Sequence, residues 1–264
     1  KWRIQMVKGL YTAYTGMINE QNRMDIMTNN LANASTVGYK KEGSTSQSFD
    51  DVLTVKIKDQ SVGMRNVQRL GVKNPGVKIG ENYTDYSQGS FRITGNTYDL
   101  ALSGEGFFAI EFTNKAGETD TKYTRAGQFT LNKDGYLVTE EGDYVLDTQN
   151  RRIRLNTLID SSITDDGTIY QNGQAVAKIQ VTDFEDYDYL EKYGETYYQP
   201  IQGAKTIAAK AQVKSGYLEM ANVQIVSEMV NLISITRAYE SNQKVVQTID
   251  DTLDVAVNQI GRVQ

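Results

Sequence analysis

The chain contains neither histidine nor cysteine. That removes Ser–His and Cys–His nucleophilic catalysis, most zinc sites and every disulfide. With no thiol to oxidise, the protein is indifferent to redox compartment. It also lacks an excess of positive charge, its 264 residues carrying a net −5. No basic face able to neutralise several phosphates is expected, so nucleic acid is not an expected partner. No apolar run reaches the length of a membrane span, and none near the start has the form of an h-region with a cleavage site. Membrane insertion is therefore not expected, and a protein of this kind working outside the cell would leave it without a cleaved signal. Hydrophobic residues make up 39%, a low share for a compact globule, while Asn, Gln, Thr and Ser are plentiful. Such a chain buries less per residue unless partners cover part of its surface.

What is present falls into three regions of different period. Leu10, Met17, Met24 and Leu31 recur every seven residues, with Tyr14 and Met27 between them. Only Gly16 interrupts the run, so an amphipathic helix is expected there. The other end repeats the spacing over a longer stretch. Ile225, Leu232, Tyr239, Val246, Leu253 and Ile260 form one series, and the companion positions three later include Ile235, Ile249, Ala256 and Val263. This pattern predicts a coiled-coil seam on a helix from about residue 220 to 262, roughly 60 Å long. Between the two ends the sequence alternates and turns, with Asp134-Gly135 and Asn172-Gly173 each flanked by alternating residues. Both are hairpin signals. The expected fold class is α+β, with long terminal helices forming a coiled-coil layer and an inserted antiparallel all-β domain. Its divisions are residues 1–43, 44–215 and 216–264.

Candidate chemistry is sparse. Gly104, Gly106 and Ala109 in "GEGFFA" mimic a dinucleotide fingerprint, but that motif needs a helix after the glycines and "FFAIEF" reads as strand. A glycine corner between strands is the expectation. Asn132, Asp134, Gly135 and Glu141 fall at calcium-loop spacing, yet Thr130 occupies the first position and no flanking helices are read, so a hairpin turn is expected. Acidic pairs at Asp50–Asp51, Glu140–Glu141, Asp165–Asp166 and Asp250–Asp251 keep a cell-wall glycan hydrolase in view as an alternative. The tyrosine-rich "DFEDYDYLEKYGETYY" keeps open a carbohydrate-binding module or an exposed contact surface. No catalytic, cofactor-binding or metal-binding residue is assigned, and no cofactor is expected. Residues 223–235, "VQIVSEMVNLISI", add Val226, Met229, Val230 and Ile233 off the seam. A helix apolar around much of its circumference is buried on several sides, and one short partner helix cannot cover it. Other copies of the chain are the economical cover.

The stretch "NNLANASTVGYKK" resembles the N-terminal signature of the bacterial flagellar rod, hook and hook-associated axial proteins. "TDYSQGSFRITGNTYDLALSGEGFFAI" and "YTRAGQFTLNKDGYLVTEEGDYVL" look like the central segments of the rod–hook group, and "LEMANVQIVSEMVNLISITRAYESNQKVVQTIDDTLDVAVNQI" like its C-terminal segment. The length fits the rod members, most nearly the distal type, with the proximal type a close sibling and the hook type usually longer. The resemblance implies a non-enzymatic structural subunit of the flagellar basal-body rod, self-assembling into a helical tube that transmits torque to the hook. It further implies other rod and hook proteins as partners, and passage through the flagellar export apparatus. Leu10, Met17, Met24, Leu31 and the series from Ile225 to Ile260 would then line the polymer interface. Asn33, Thr36, Gly38 and Tyr39 would form a connector that redirects the chain, Asn33 and Thr36 satisfying helix-end groups, Gly38 permitting the turn and Tyr39 anchoring it. Residue 38 is expected to lie outside the core of the β domain.

Overall fold

The computed structural model describes residues 2–57, 67–114, 117–255 and 257–258. Among the described residues there are two α-helices, a short 3₁₀ helix at Tyr187–Tyr189 and an extensive antiparallel β structure, and the fold is α+β. It divides into two compact units. The first holds residues 1–31, 42–84 and 225–264, and the second holds residues 32–41 and 85–224.

In the first unit, helix α1 spans Trp2–Ala32 and is followed by four strands. These are β1 (Glu42–Ser48), β2 (Val52–Ile57), β3 (Val67–Lys73) and β4 (Val77–Thr84). Helix α2 spans Ile225–Val255. Strands β1 and β4 pair antiparallel, as do β2 and β3. Each helix has 31 residues, about 46 Å at 1.5 Å per residue. Helix α2 starts later than its period suggests because the residues just before it are already committed. Tyr217–Glu219 pairs as a strand with Phe91–Ile93, and the Asn222 side chain is held by backbone groups.

The helices approach through glycine. A Cβ added at Gly9 would lie 3.6 Å from Ile249 Cδ1, and one at Gly16 would lie 3.1 Å from Asn242 Nδ2. The paired positions are seven apart on both helices and run in opposite order, so α1 and α2 lie antiparallel with the glycines admitting close approach. On its other flank α1 meets the β1–β4 ribbon. Asn19 Nδ2 donates to Ser46 Oγ at 3.1 Å, and a Cβ at Gly76 would collide with Thr15 Oγ1.

The second unit is built on a nine-stranded sheet whose central strand is Phe107–Thr113. Successive side chains of a strand point to opposite faces, and here both faces are covered. Phe108 joins a cluster with Leu100, Leu102, Phe129, Leu137 and Ile179, while Phe107 and Ala109 join Tyr123, Leu146, Phe184 and Tyr198. That is why "FFAI" reads as an unbroken apolar run. Gly104 and Gly106 sit at φ +117° and +135° between the strands Leu100–Ser103 and Phe107–Thr113, a corner with no helix behind it. Residues 132–135 form the turn of the hairpin Phe129–Leu131 with Leu137–Thr139, Asn132 Oδ1 accepting from the amides of Asp134 and Tyr136. Asn172 and Gly173, at φ +51° and +76°, join Thr168–Gln171 to Gln174–Lys178.

The tyrosines of 187–198 mostly face inward. Tyr198 is fully buried, and Tyr86, Tyr187, Phe107 and Tyr198 pack ring to ring at 4.9–5.9 Å. Tyr189 and Tyr193 remain exposed, and the Tyr193 ring covers the Lys122 ammonium. A stacking platform for sugar is not what these rings form.

Candidate functional site

On α2 the heptad face is the covered one. Ile235 is buried, and Leu232, Tyr239, Asn242, Val246, Ile249 and Leu253 are half-buried. Ile225 is exposed, and Ile260 lies outside the described residues. On α1, Leu10, Met17, Met24 and Leu31 are likewise half-buried. The seam is thus partly occupied within one chain. Apart from Ile225, the open apolar residues in the first turns of α2 lie off the seam: Val226 is 77% exposed, Met229 49%, Val230 58% and Ile233 53%. Tyr11, Tyr14 and Ile18 form a second open apolar stripe on α1. Four large apolar side chains on adjacent turns of one helix are a contiguous patch rather than scattered surface residues.

The connector has a geometry of its own inside the second unit. Helix α1 ends at Ala32, and the chain turns with Thr36 N donating to Asn33 O and Thr36 Oγ1 to Asn33 Oδ1. Gly38 follows at φ +70°, a left-handed conformation that other residues resist. Its amide donates to Glu219 O at 2.8 Å, and a Cβ there would strike the backbone of Arg125 and Ala126. Tyr39 is fully buried, with the Lys192 ammonium 4.2 Å from its ring centre. Residue 38 is therefore part of the packed β unit and not outside it, because the connector is threaded against strands that arrive much later in the chain.

The residue after Tyr39 was not singled out by any sequence pattern. Lys40 is buried and its Nζ lies 2.7 Å from Glu219 Oε1, also donating to Ser87 O at 2.7 Å. Arg125 Nη1 reaches Glu219 Oε2 at 3.2 Å and Nη2 donates to Gly104 O at 2.8 Å. Glu219 accepts from the Gly89 amide as well. Burial pushes the Lys40 ammonium below its ordinary pKa, and the Glu219 charge pulls the other way. Next to this cluster Asn222 Oδ1 accepts from Lys41 N at 2.8 Å, and its Nδ2 donates to Asp85 O at 2.7 Å. In the first unit, Asn30 makes a two-way bond with the Glu42 backbone, at 2.7 and 2.9 Å. Asn30, Asn33, Thr36 and Lys40 of "NNLANASTVGYKK" thus each have a bond of their own.

A cleft of about 450 Å³ beside the connector is lined by Ser35, Thr36, Arg92, Glu140, Glu141 and Tyr197 among others. Among the described residues no cluster of carboxylates is placed to hold a metal ion, and no helix is long and apolar enough to cross a membrane.

Three family models match the chain. "Flagella basal body rod protein" matches residues 10–40, "Flagellar hook protein FlgE/F/G D1 domain" residues 101–173, and "Flagellar basal body rod FlgEFG protein C-terminal" residues 214–260. The flagellar basal-body rod protein FlgG of Bacillus subtilis is 34% identical over 96% of this chain and 99% of its own length. The chain belongs to the flagellar basal-body rod protein family. FlgF of Caulobacter vibrioides is 32% identical over 98% of the chain and all of its own length, and the hook-basal body complex protein FlhO of Bacillus subtilis is 30% identical over the same shares. As a rod protein it is a structural subunit of the flagellum and not an enzyme. The rod family's two terminal matches each take in part of the cluster described above: Lys40 closes the first, and Glu219 and Asn222 fall at the start of the last.

Proposed function

We propose that this rod protein assembles head to tail with copies of itself into a helical tube that carries torque from motor to hook. The terminal helices form its inner coiled-coil layer and the β-rich middle its outer one. The observation that carries the reading is the open stripe of Val226, Met229, Val230 and Ile233 on a helix whose opposite face is already covered. Burying apolar surface stabilises by about 25 cal/mol per Å², and repetition along a filament multiplies that gain. The α1 stripe of Tyr11, Tyr14 and Ile18 offers a surface of matching character. Asn22 and Asn29, with other uncharged polar groups on α1, let neighbours approach without burying charge. A heterologous contact that does not close a ring grows into a filament, so rod length is set by something other than this interface.

On this reading the seam series from Leu10 to Leu31 and from Ile225 to Ile260 serves both the helix pair of one subunit and its neighbours. The connector of Asn33, Thr36, Gly38 and Tyr39 fixes the path by which the chain leaves α1. The partners are other copies, the remaining rod and hook proteins, and the export apparatus through which the chain passes. Its site of action is the rod of the basal body, in the distal part, a reading supported by the likeness to FlgG.

Electron microscopy of the purified protein at rising concentration tests the proposal. Short tubes or curved filaments are expected, accompanied by a concentration-dependent sedimentation coefficient. A monomer at every concentration, with Val226 and Val230 still open to solvent, would speak for a binding module instead.

A further inference from the structure

Lys40, Arg125 and Glu219 come from three distant parts of the chain, Lys40 and Glu219 lying 179 residues apart. They meet where water does not reach: Lys40 is 1% exposed, Arg125 4% and Glu219 0%. The cluster is asymmetric, since one carboxylate serves two cations. Remove the carboxylate and two like charges remain at close quarters in a medium of low dielectric, with the carbonyls of Ser87 and Gly104, the Phe107 ring and the weaker pull of the Asp85 charge on Lys40 in its place. The carboxylate is also the last to arrive. It sits on Tyr217–Glu219, the final strand of the second unit, beside the buried Leu218. The hairpins around residues 107–124, 129–139 and 168–178 pair locally and contribute Phe108, Phe129, Leu137 and Ile169 to a shared core. Local pairs of this kind would close early and without help from residue 219 if nothing opposed them.

We propose that the Lys40–Glu219–Arg125 cluster is a closure latch, which keeps the β unit from taking its final form until the C-terminal strand delivers Glu219. Lys40 and Arg125 act as a pair of unmatched charges that make premature closure costly, and Glu219 turns that cost into a net attraction. A chain presented from its N-terminus then stays open until almost the whole of the second unit is available. The Gly38 amide, which donates to Glu219 O, and the Met220 amide, which donates to Ser90 O, report closure of the latch. The amides of Ala109, Leu137 and Ile179, bonded to Gln180 O, Ile153 O and Gly167 O, report closure of the core. Neither the latch nor its test depends on self-assembly.

Refolding of the full chain, followed by pulsed hydrogen exchange, separates the two sets. In the natural chain they should gain protection together, with a single rate. In the variant combining Lys40→Met, Arg125→Met and Glu219→Leu, the charge penalty is gone, so the core amides should become protected before Gly38 and Met220. Core protection preceding latch protection in the natural chain overturns the proposal, and this arm needs no variant to fold. A triple variant that still protects both sets in one step overturns it as well, because strand packing rather than charge would then impose the wait.

Discussion

Replacing Gly38 by alanine probes the connector with a single methyl group. Two separate costs follow from the structure. The left-handed backbone, φ +70°, costs an L-residue roughly 1–2 kcal/mol. The new Cβ would also press on the backbone of Arg125 and Ala126, which cannot swing aside as a side chain would, and overpacking of that kind typically costs about 1–3 kcal/mol. The sum is roughly 2–5 kcal/mol. For a unit of this size each kcal/mol lowers the melting temperature by about 2–4 °C, so a fall of around 10 °C is expected in a thermal melt followed by near-ultraviolet circular dichroism. Valine should be worse than alanine, since a β-branched side chain tolerates positive φ least. Gly142 supplies the control. It has φ +99° but nothing within 4 Å of an added Cβ, so Gly142→Ala should register only the backbone strain. If Gly38→Ala melts with Gly142→Ala, the close approach to residues 125 and 126 is not real and the connector is not packed as described.

Asn30→Ala removes a fully buried side chain that both donates to and accepts from the Glu42 backbone. A stability loss of about 1–3 kcal/mol should appear in denaturant titration, whereas Gln21→Ala on the exposed face should cost little. Acid should weaken the β unit. Hydrogen bonding from Arg152 holds the Glu111 carboxyl below its ordinary range; burial alone would raise Asp147, but the Arg151 and Gln149 amides and the Arg151 guanidinium outweigh it. Depressed folded-state values mean that this stabilisation is complete above the ordinary carboxylate range and is lost as pH falls through the folded values. Melts between pH 6 and pH 2 should steepen there, less so in Arg152→Gln. At the alkaline end, burial and bonding to carboxylates raise the Tyr187 and Tyr197 phenols. Their contribution is intact below about pH 10 and is lost as pH rises through the folded values; Tyr197→Phe should flatten that limb.

The elements that could be read from the sequence were those whose cause is local. Two long heptad series gave helices, because period alone decides which face is apolar. Asp134-Gly135 and Asn172-Gly173 gave turns, because a single residue's conformational freedom decides them. "GEGFFA" was readable as a corner because a strand and not a helix follows it. The Lys40 cluster had no such signal: a lysine in "GYKK" and a glutamate in "YLEMAN" reveal nothing until folding brings together residues 179 apart in the chain. The same distance hid the fact that residues 32–41 are woven into the β unit. Periodicity also marks a face without naming what covers it. The seam of α2 is partly covered by α1 of the same chain, and the open surface lies at Val226, Met229, Val230 and Ile233, which the heptad count leaves out.

The absence of cysteine makes the most direct test of assembly a clean one. A single thiol placed by Val230→Cys should react freely with a soluble maleimide in dilute monomer, matching Leu158→Cys, whose parent residue is 93% exposed in the β unit. After assembly the thiol at 230 should be shielded while that at 158 stays reactive. Assembled material in which both positions react at the monomer rate would contradict the claim that neighbouring copies cover the open stripe of α2.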